Sequence, residues 1–331
     1  MRRNQIAVPR IDSKYSFLKL TFKYIREKMT KRTPVILDTD IGYDMDDTWA
    51  LAMMLKSPEL DIKLITTDTQ DTTYSAKIAA KMLEIAQRTD ISVGIGIDCV
   101  KDMKARGYEV SRNQIGWVEN YDLASYPGKV CEDGVGAIID TIMNSTEQVT
   151  LICIGPVPNI AKALELEPKI AERARIVGMF GSIRRGYQNS DKISAECNVN
   201  SYPKECRKVF EAAWDITITP LDTCGLVKLQ GEKYKRILAC HDPVIKAVIE
   251  NYGIWKWNGE AHPDSCSSIL FDTVAIHLAY SQEFLEMETL GIKITDEGFT
   301  VIDDKAKKIH CAMNWKDLPG YEDYLVERLV K

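Results

Sequence analysis

The segment from residue 34 to residue 51 constrains the fold of this chain most, because a short apolar run leads there directly into a cluster of aspartates. Residues 35–37 predict a buried strand, and residues 47–55 show the apolar spacing of a helix packed against it. The carboxylates lie at the end of the strand, in the turn and at the start of the helix: Asp38, Asp40, Asp44, Asp46 and Asp47. In an open α/β sheet, ligands bind at this edge.

Aspartates this close together repel one another, so positive charge has to offset their repulsion if they converge. The amino terminus of a helix carries only about half an elementary charge, which is too little for the whole set. A hard divalent cation is the simplest answer, and the absence of His and Cys from the segment favours calcium or magnesium over zinc. The alternative is that Asp46 and Asp47 only cap the helix while the other carboxylates face solvent.

Three known acidic patterns compete for this segment. An EF-hand loop needs Gly at its sixth position and Glu at its twelfth, whereas counting from Asp38 puts Gly42 fifth and Trp49 twelfth. Asp-x-Asp phosphatases of the haloacid dehalogenase type also place Asp-Thr-Asp after a first strand, but they have Thr or Val where this chain has Gly42. The run from Asp38 to Asp47 most resembles the amino-terminal signature of the inosine-uridine preferring nucleoside hydrolases, in a variant with a lengthened turn.

Composition excludes several classes of protein. A chain of 331 residues with 45% hydrophobic content can bury a large core, as one α/β domain or as two smaller ones. The formal net charge of −5 argues against a nucleic-acid partner, and no apolar run approaches the length of a membrane span. Nine cysteines without a Cys-x-x-Cys pair favour reduced thiols and a cytoplasmic location.

Two regions differ in character. Residues 1–32 carry ten Lys or Arg against two acidic residues and predict a basic amphipathic arm on its own domain or a neighbouring subunit, with membrane-surface contact as the alternative. Residues 33–331 alternate strand-like and helical patterns, which predicts one α/β domain with a mainly parallel central sheet and helices on both faces. The predicted strands are residues 64–67, 91–95, 149–154, 176–180 and 216–219, and the predicted helices are residues 75–87, 158–166 and 318–330.

Two long segments, residues 98–130 and 251–267, interrupt this alternation and contain several aromatic residues. Segments of this length in a compact domain are usually lids or disordered. Their aromatic rings are candidates for stacking on a flat ligand, although each is equally suited to ordinary packing. The candidates are Tyr108, Trp117, Tyr121 and Tyr126 in the first segment, and Tyr252, Trp255 and Trp257 in the second.

The resemblance continues in order along residues 33 to 330 and implies roles for residues at later strand ends. The end of the second strand has an Asn or Asp that faces the family's active site, which makes Asp71 or Asp68 the candidate. The backbone carbonyl of Ile154 matches one that completes the family's calcium shell. Met179 falls on a position that lines the nucleoside pocket.

Two further motifs carry the resemblance to the sugar and the base. The run 194–200 is similar to the family's Ala-Glu-x-Asn segment, which implies that Glu196 and Asn198 hold the ribose hydroxyls, with Asn189 as a weaker match for the 5′-hydroxyl. The aspartate that closes the metal site matches Asp272. Phe271 stands where inosine-uridine preferring members usually have a His and purine-specific members an aromatic residue. The distant His277 is expected to pack or to face solvent and is not a substitute.

The resemblance therefore implies an N-ribohydrolase that splits a ribonucleoside into ribose and free base, in nucleoside catabolism or purine salvage. Calcium would be held by Asp40, Asp47, the Ile154 carbonyl and Asp272, with Asp40 as general base and Asp46 stabilising positive charge on the sugar. Asp38 would orient the ligands, and Asp44 receives no role. The base would stack between Phe271 and a loop aromatic, either Trp117 or one of Trp255 and Trp257, which favours purines.

Family habit implies a homodimer or a homotetramer. The alternatives are a catalytically weak member that binds a ribosyl ligand and, with less support, a magnesium-dependent Asp-x-Asp phosphatase.

Overall fold

The computed structural model describes residues 32–107, 109–255 and 262–331. The predicted basic arm, apart from its last residue, lies outside these ranges, as do Tyr108 and Trp257. Within them the strands are β1 (Thr33–Thr39), β2 (Leu60–Thr67), β3 (Ser92–Ile95), β4 (Val130–Cys131), β5 (Val149–Cys153), β6 (Ala174–Met179), β7 (Ile216–Thr219), β8 (Leu285–Ile294), β9 (Thr300–Ile302) and β10 (Lys308–Trp315).

These strands form one ten-stranded sheet within the described ranges, in the order β4-β3-β2-β1-β5-β6-β7-β10-β8-β9. All neighbours from β4 to β7 are parallel, and β10 is also parallel to β7, whereas β8 pairs antiparallel with both β10 and β9. The chain adds strands on one side of β1 and then returns to add β5 on its other side. The gap between the ends of β1 and β5 is therefore the topological switch point, where ligands bind in open α/β sheets.

Helices cover both faces of the sheet. They are α1 (Asp46–Leu55), α2 (Thr72–Ile85), α3 (Val100–Ala105), α4 (Ile115–Val118), α5 (Gly134–Asn144), α6 (Pro158–Leu166), α7 (Ile170–Arg173), α8 (Cys197–Ser201), α9 (Pro203–Glu211), α10 (Gly231–Leu238), α11 (Pro243–Ile254), α12 (Thr273–Leu278) and α13 (Leu318–Val330). Alternate residues of β1 enter different cores: Val35 and Leu37 pack with α1, α2 and α11, whereas Ile36 packs with α5 and α6. All three are fully buried, as expected of a central parallel strand.

The predicted fold class, a mainly parallel α/β sheet with helices on both faces, is confirmed. The sequence did not indicate the short strand β4, the carboxyl-terminal strands β8 to β10, helices α3 to α5 or helices α7 to α11. In β8 buried Leu285, Ile292 and Ile294 alternate irregularly with exposed or half-buried residues, so no continuous apolar run announces the strand. No helix in the described ranges is both long enough and apolar enough to cross a membrane.

Candidate active site

The aspartate-rich turn lies between β1, which ends at Thr39, and α1, which begins at Asp46. Helix α1 packs nine of its ten residues into the interior, including Asp46 and Asp47 in its first turn. The Thr39 hydroxyl donates a hydrogen bond to the Asp47 carboxylate and accepts one from the backbone N–H of Ile41 at 3.2 Å. The end of the strand thus holds one carboxylate of the helix directly.

Side chains from the two long segments hold this turn. The Asn113 amide donates to the carbonyl of Tyr43 at 2.8 Å, and the Trp255 indole N–H donates to the same carbonyl at 3.2 Å. Gln114, which is fully buried, donates from its amide to the carbonyl of Asp44 at 2.6 Å and accepts from the Asn251 amide at 2.6 Å. Residues of the two long segments therefore hold the aspartate turn in place. The sequence of these segments did not indicate that role.

Gly42 is required inside the turn. Its φ of 108° is rarely adopted by other residues, and a Cβ there would come within 2.8 Å of both Ile78 Cδ1 and Tyr74 Cε1. The Tyr74 hydroxyl donates to the Gly42 carbonyl at 3.2 Å. Helix α2 therefore packs tightly under the turn, and a larger residue at position 42 would push the aspartates out of place.

Asp272 reaches the same place from far along the chain. It precedes α12, and its side chain makes no capping hydrogen bond to that helix. Carboxylate oxygens of Asp46, Asp47 and Asp272 all lie within 4.8 Å of one another, and all three residues are buried. Calcium binds oxygens at about 2.3–2.6 Å, so oxygens on opposite sides of one ion are about 5 Å apart. The spacing and the all-oxygen chemistry of this cluster both fit a hard divalent cation.

Burial and mutual repulsion shape the electrostatics of this cluster. Burial raises the pKa of Asp40 well above its usual range, and the charge of Asp47 raises it further. The pKa values of Asp46, Asp47 and Asp272 are raised for the same two reasons, first by burial and then by a neighbouring aspartate. The interaction between the Asp46 and Asp272 carboxyl groups raises the pKa of Asp272 further and lowers that of Asp46. Without a cation, protons take over part of the neutralisation that the cluster needs.

The cluster forms one end of a cavity of about 600 Å³ at the switch point. The acidic residues that line the cavity are Asp40, Asp44, Asp46, Asp47, Glu196 and Asp272. Ile154, directly after β5, and Met179, the last residue of β6, also line it. A Cβ on Gly155 would lie 2.8 Å from the backbone nitrogen of Asp40, so the ends of β1 and β5 approach closely here.

The side chains of Glu196 and Asn198 form hydrogen bonds to backbone groups at the ends of β5 and β6. The Glu196 carboxylate accepts from the backbone N–H groups of Gly181 at 2.8 Å and Asn198 at 2.7 Å. The Asn198 amide donates to the carbonyls of Ile154 at 2.9 Å and Met179 at 3.0 Å. Burial raises the pKa of Glu196 to about 7, although the backbone donors lower it. Since both amide protons of Asn198 are used, its side-chain oxygen is the atom left for a ligand.

Aromatic residues also line the cavity. The rings come from Tyr43, Tyr187, Trp255 and Phe271, and the Tyr187 and Phe271 rings meet edge to face with centroids 6.3 Å apart. The cavity therefore combines carboxylates suited to a cation and hydroxyl groups with aromatic rings suited to a flat ring.

Three residues that the sequence assigned to the substrate do not line the cavity. The Asp71 carboxylate caps α2 through the N–H of Tyr74 at 3.0 Å and pairs with Arg112, so its oxygens are already used. Trp117 is buried against α2 under Lys81, whose ammonium lies 4.1 Å from the ring centroid. Asn189 is exposed, while its two predecessors line the cavity instead.

Two further residues lie away from the cavity. Asp38 is fully buried, and its carboxylate accepts from the Thr66 hydroxyl and from the Asn159 amide at 2.9 Å. Burial raises the pKa of Asp38 to about 7. His277 is buried among the rings of four aromatic residues, namely Tyr280, Phe284, Tyr321 and Tyr324.

Several lining residues carried no recognisable signal in the sequence. They are Tyr43, Tyr187, Gln188, Cys197, Lys228, His262, Ser268 and Ile269. Tyr187 and Gln188 adjoin the proposed Asn189, and Cys197 lies inside the motif that supplied Glu196. Nothing in the local pattern singles out Lys228.

A family model described as inosine-uridine preferring nucleoside hydrolase matches residues 35–320 of the chain. The chain belongs to this family. It is a nucleoside hydrolase, an enzyme that splits the N-glycosidic bond of a ribonucleoside. Nucleoside hydrolases depend on a metal ion, and the cluster of Asp46, Asp47 and Asp272 supplies suitable ligands. The match decides against the phosphatase alternative.

Similar proteins agree with this assignment. The pyrimidine-specific ribonucleoside hydrolase RihA of Escherichia coli is 29% identical to this nucleoside hydrolase over 322 residues, which is 89% of this chain and 98% of the relative. The enzyme of the same name from an Enterobacter species is 28% identical over 324 residues, or 90% and 98% of the two chains.

Solved structures support the fold. A plant nucleoside hydrolase aligns with a TM-score of 0.76 at 20% identity over 91% of this chain and 99% of its own. A purine-preferring ribonucleoside hydrolase from Gardnerella vaginalis aligns with a TM-score of 0.69 at 20% identity, over 90% of this chain and 98% of its own.

Proposed function

We propose that this nucleoside hydrolase uses calcium to hydrolyse ribonucleosides to ribose and free base, with a preference for purines. The observation that carries the proposal is the convergence of Asp46, Asp47 and Asp272 within 4.8 Å in a cavity that aromatic residues also line. A sugar rich in hydroxyls fits the carboxylates, and a nucleobase fits the aromatic rings.

Asp47 and Asp272 are the ligands on which the proposed calcium site depends, with Asp40 and the Ile154 carbonyl completing it. The Ile154 carbonyl accepts one hydrogen bond from Asn198, which leaves its second lone pair for a cation. Asp46 adds a carboxylate beside the cation and the sugar. Calcium, when bound, lowers the pKa of a water molecule and engages ribose hydroxyls.

Asp40 is the proposed general base. It lines the cavity next to Asp47 and immediately after β1, so its backbone is fixed while its side chain reaches the open space. A carboxylate beside both the cation and its water is well placed to remove a proton from that water. Asp38, buried beneath, supports the strand end through Thr66 and Asn159 rather than touching the substrate.

Glu196 and Asn198 are proposed to hold the ribose. The backbone donors of Gly181 and Asn198 fix the Glu196 carboxylate, and Asn198 is fixed by two carbonyls, so neither side chain has to be ordered when the sugar binds. Sugar hydroxyls can donate to the Glu196 carboxylate and to the Asn198 oxygen. Positive charge that develops on the sugar carbon is stabilised by the surrounding carboxylates.

The proposed preference for purines rests on Phe271 and Tyr187. A purine offers more ring area to these aromatic groups than a pyrimidine does. The relatives carry names of both kinds, pyrimidine-specific for RihA and purine-preferring for the Gardnerella enzyme, so the proposal rests on the cavity itself. An assembly of two or four subunits and a cytoplasmic location stay predictions.

The test measures ribose release from inosine, guanosine, adenosine, uridine and cytidine, after treatment with a chelator and again after calcium is restored. We expect turnover only with calcium, and higher kcat/KM for the purines. Loss of the acidic function in Asp40→Asn should lower kcat by about 10²- to 10⁴-fold. A clear uridine preference would contradict the stacking argument, and full activity in chelator would contradict the metal site. Ligand binding without turnover would identify the catalytically weak alternative.

A further inference from the structure

Lys228 lines the cavity, and its backbone is held firmly in place. The carbonyl of Val227 accepts from the N–H of Leu270 at 2.9 Å, and the carbonyl of Leu229 accepts from the N–H of Ser267 at 2.9 Å. Val227 and Leu229 are fully buried, whereas Lys228 between them is only partly buried. The strand-like alternation turns the Lys228 side chain away from the core and towards the cavity.

Lys228 follows a turn that packs beside the aromatic rings of the cavity. In this turn, Cys224–Leu226, a Cβ on Gly225 would lie 3.7 Å from Phe271 Cε1. The Phe271 ring in turn meets the Tyr187 ring. The Lys228 segment therefore borders the rings against which the base is proposed to stack.

The charge of Lys228 is not used elsewhere. Among the described residues, Lys228 takes part in no ion pair or hydrogen bond, and the only other basic side chain that lines the cavity is His262. The hydroxyl oxygen of the neighbouring Ser268 is buried and also has no partner among these residues. Six acidic residues also line the cavity, so the Lys228 ammonium brings a positive charge into a site that is otherwise mainly negative.

We propose that Lys228 stabilises and protonates the departing base. This inference rests on the proposed hydrolysis of ribonucleosides. When the bond between C1′ and the base nitrogen breaks, its electron pair stays on the base, which therefore leaves as an anion. The ammonium of Lys228 donates a hydrogen bond to this anion and then transfers a proton to it, and solvent returns a proton to the lysine. The oxygen of the attacking water bonds to C1′, and Asp40 takes the proton from that water.

The aromatic residues are poorly suited to this function. Phe271 has no proton to give, and the Trp255 indole N–H already donates to the Tyr43 carbonyl. Burial raises the pKa values of Tyr43 and Tyr187 far above their ordinary value, which makes both weak acids. Lys228 is thus the charged donor whose backbone is fixed beside the aromatic rings. This role of Lys228 also predicts a substrate preference. An ammonium can only donate hydrogen bonds, so it favours bases that present oxygen or ring nitrogen acceptors.

The experiment compares two leaving groups. Inosine needs its base to be neutralised, whereas 4-nitrophenyl β-D-riboside releases an anion that is already stable at neutral pH. We expect Lys228→Met to lower kcat on inosine by about 10²- to 10⁴-fold, the usual range for a positioned acid, and to change the riboside rate less than about threefold. Lys228→Arg should restore part of the inosine rate. Lys246→Met, on the exposed side of α11, is the matched control.

Each other outcome overturns the inference. Equal loss on both substrates would mean that Lys228 supports the fold or the sugar site. Full inosine activity in Lys228→Met, with the selective loss in His262→Ala instead, would assign the acid to His262. A wild-type enzyme that cleaves neither substrate would refute the proposed function, and the role of Lys228 with it, whereas a normal wild type with an unaffected Lys228→Met refutes the role of Lys228 alone.

Discussion

Replacing Asp272 by Asn should stabilise the cation-free protein and weaken its response to calcium. At 4.8 Å and an effective dielectric constant of about 20, each pair of charges in the cluster costs about 3 kcal/mol. Asp272 takes part in two such pairs, with Asp46 and Asp47, so its charge costs about 6 kcal/mol. The Asp272 carboxyl can instead keep its proton in the folded protein. The free energy needed to keep it protonated is about 1.4 kcal/mol for each pH unit above its unfolded pKa of about 3.9, so the loss of stability cannot exceed this amount.

This limit makes the effect depend on pH. The pKa of Asp272 is raised in the folded state, so the folded protein binds more protons than the unfolded chain, and stability falls as pH rises from about 4 through the raised pKa. The cost is therefore at most about 2 kcal/mol near pH 5.5 and at most about 6 kcal/mol near pH 8. At roughly 2 °C for each kcal/mol, Asp272→Asn should raise Tm by up to about 4 °C near pH 5.5 and by up to about 12 °C near pH 8.

Stabilisation of the protein by calcium, in contrast, should require the Asp272 carboxylate. A ligand at a hundred times its Kd stabilises by about 2.7 kcal/mol, which corresponds to a rise in Tm of about 5 °C for the wild type. The rise should be larger near pH 8 than near pH 5.5, because the carboxylates have to lose their protons to bind the cation. In Asp272→Asn it should fall to less than half.

The assay is thermal denaturation of chelator-treated protein, with and without calcium, at the two pH values. Asp140→Asn, an exposed residue of α5, is the control and should change neither quantity. A cation-free Asp272→Asn protein that is less stable than the wild type near pH 8, or that responds to calcium as the wild type does, would refute the view that these carboxylates share one cation.

Three other changes test separate parts of the site. Phe271→Ala should raise the steady-state KM for inosine by about two- to tenfold, which corresponds to the free energy of one aromatic contact, and should change KM for uridine less. An equal change in KM for both substrates would contradict stacking. Gln114→Ala removes buried hydrogen bonds that hold the aspartate turn. It should lower the free energy of unfolding in urea by about 1–3 kcal/mol and weaken calcium binding, whereas Gln282→Ala at the surface should do neither. Glu196→Gln places an amide N–H against backbone donors and should raise KM for every nucleoside in the panel alike; a change confined to one base would contradict a role in holding ribose.

The sequence predicted the central strands well, because residues such as Val35 and Leu37 form continuous apolar runs buried on both faces of the sheet. Strands β8 and β10, close to the sheet edge that β9 forms, mix apolar with charged residues, so their pattern is weak. Helix α5 begins with glycines in a Gly-Val-Gly run, and its start is fixed by the Asp133 side chain, which accepts from the N–H of Gly136. Neither signal is visible as a helical pattern of apolar residues.

The acidic half of the site was within reach of sequence reasoning, since Asp40 and Asp47 follow a buried strand and Asp272 begins a helix. The aromatic part was only partly within reach, because the sequence suggested Phe271 and Trp255 but not Tyr43 or Tyr187. Trp117 and Trp255 occur in similar polar surroundings in the sequence, yet only Trp255 lines the cavity, because tertiary packing buries Trp117 against α2. Lys228 depends on backbone pairing between two distant segments, which no local pattern reveals.

The 225 positions that separate Asp47 from Asp272 have a consequence for biosynthesis. The ribosome makes most of the sheet before it reaches the last carboxylate of the cluster. A growing or prematurely released chain can therefore assemble β1, β5 and β6 and still lack one wall of its ion-binding cage. The complete ion site can therefore form only after residue 272 has been synthesised, so a shorter fragment lacks one of its carboxylates.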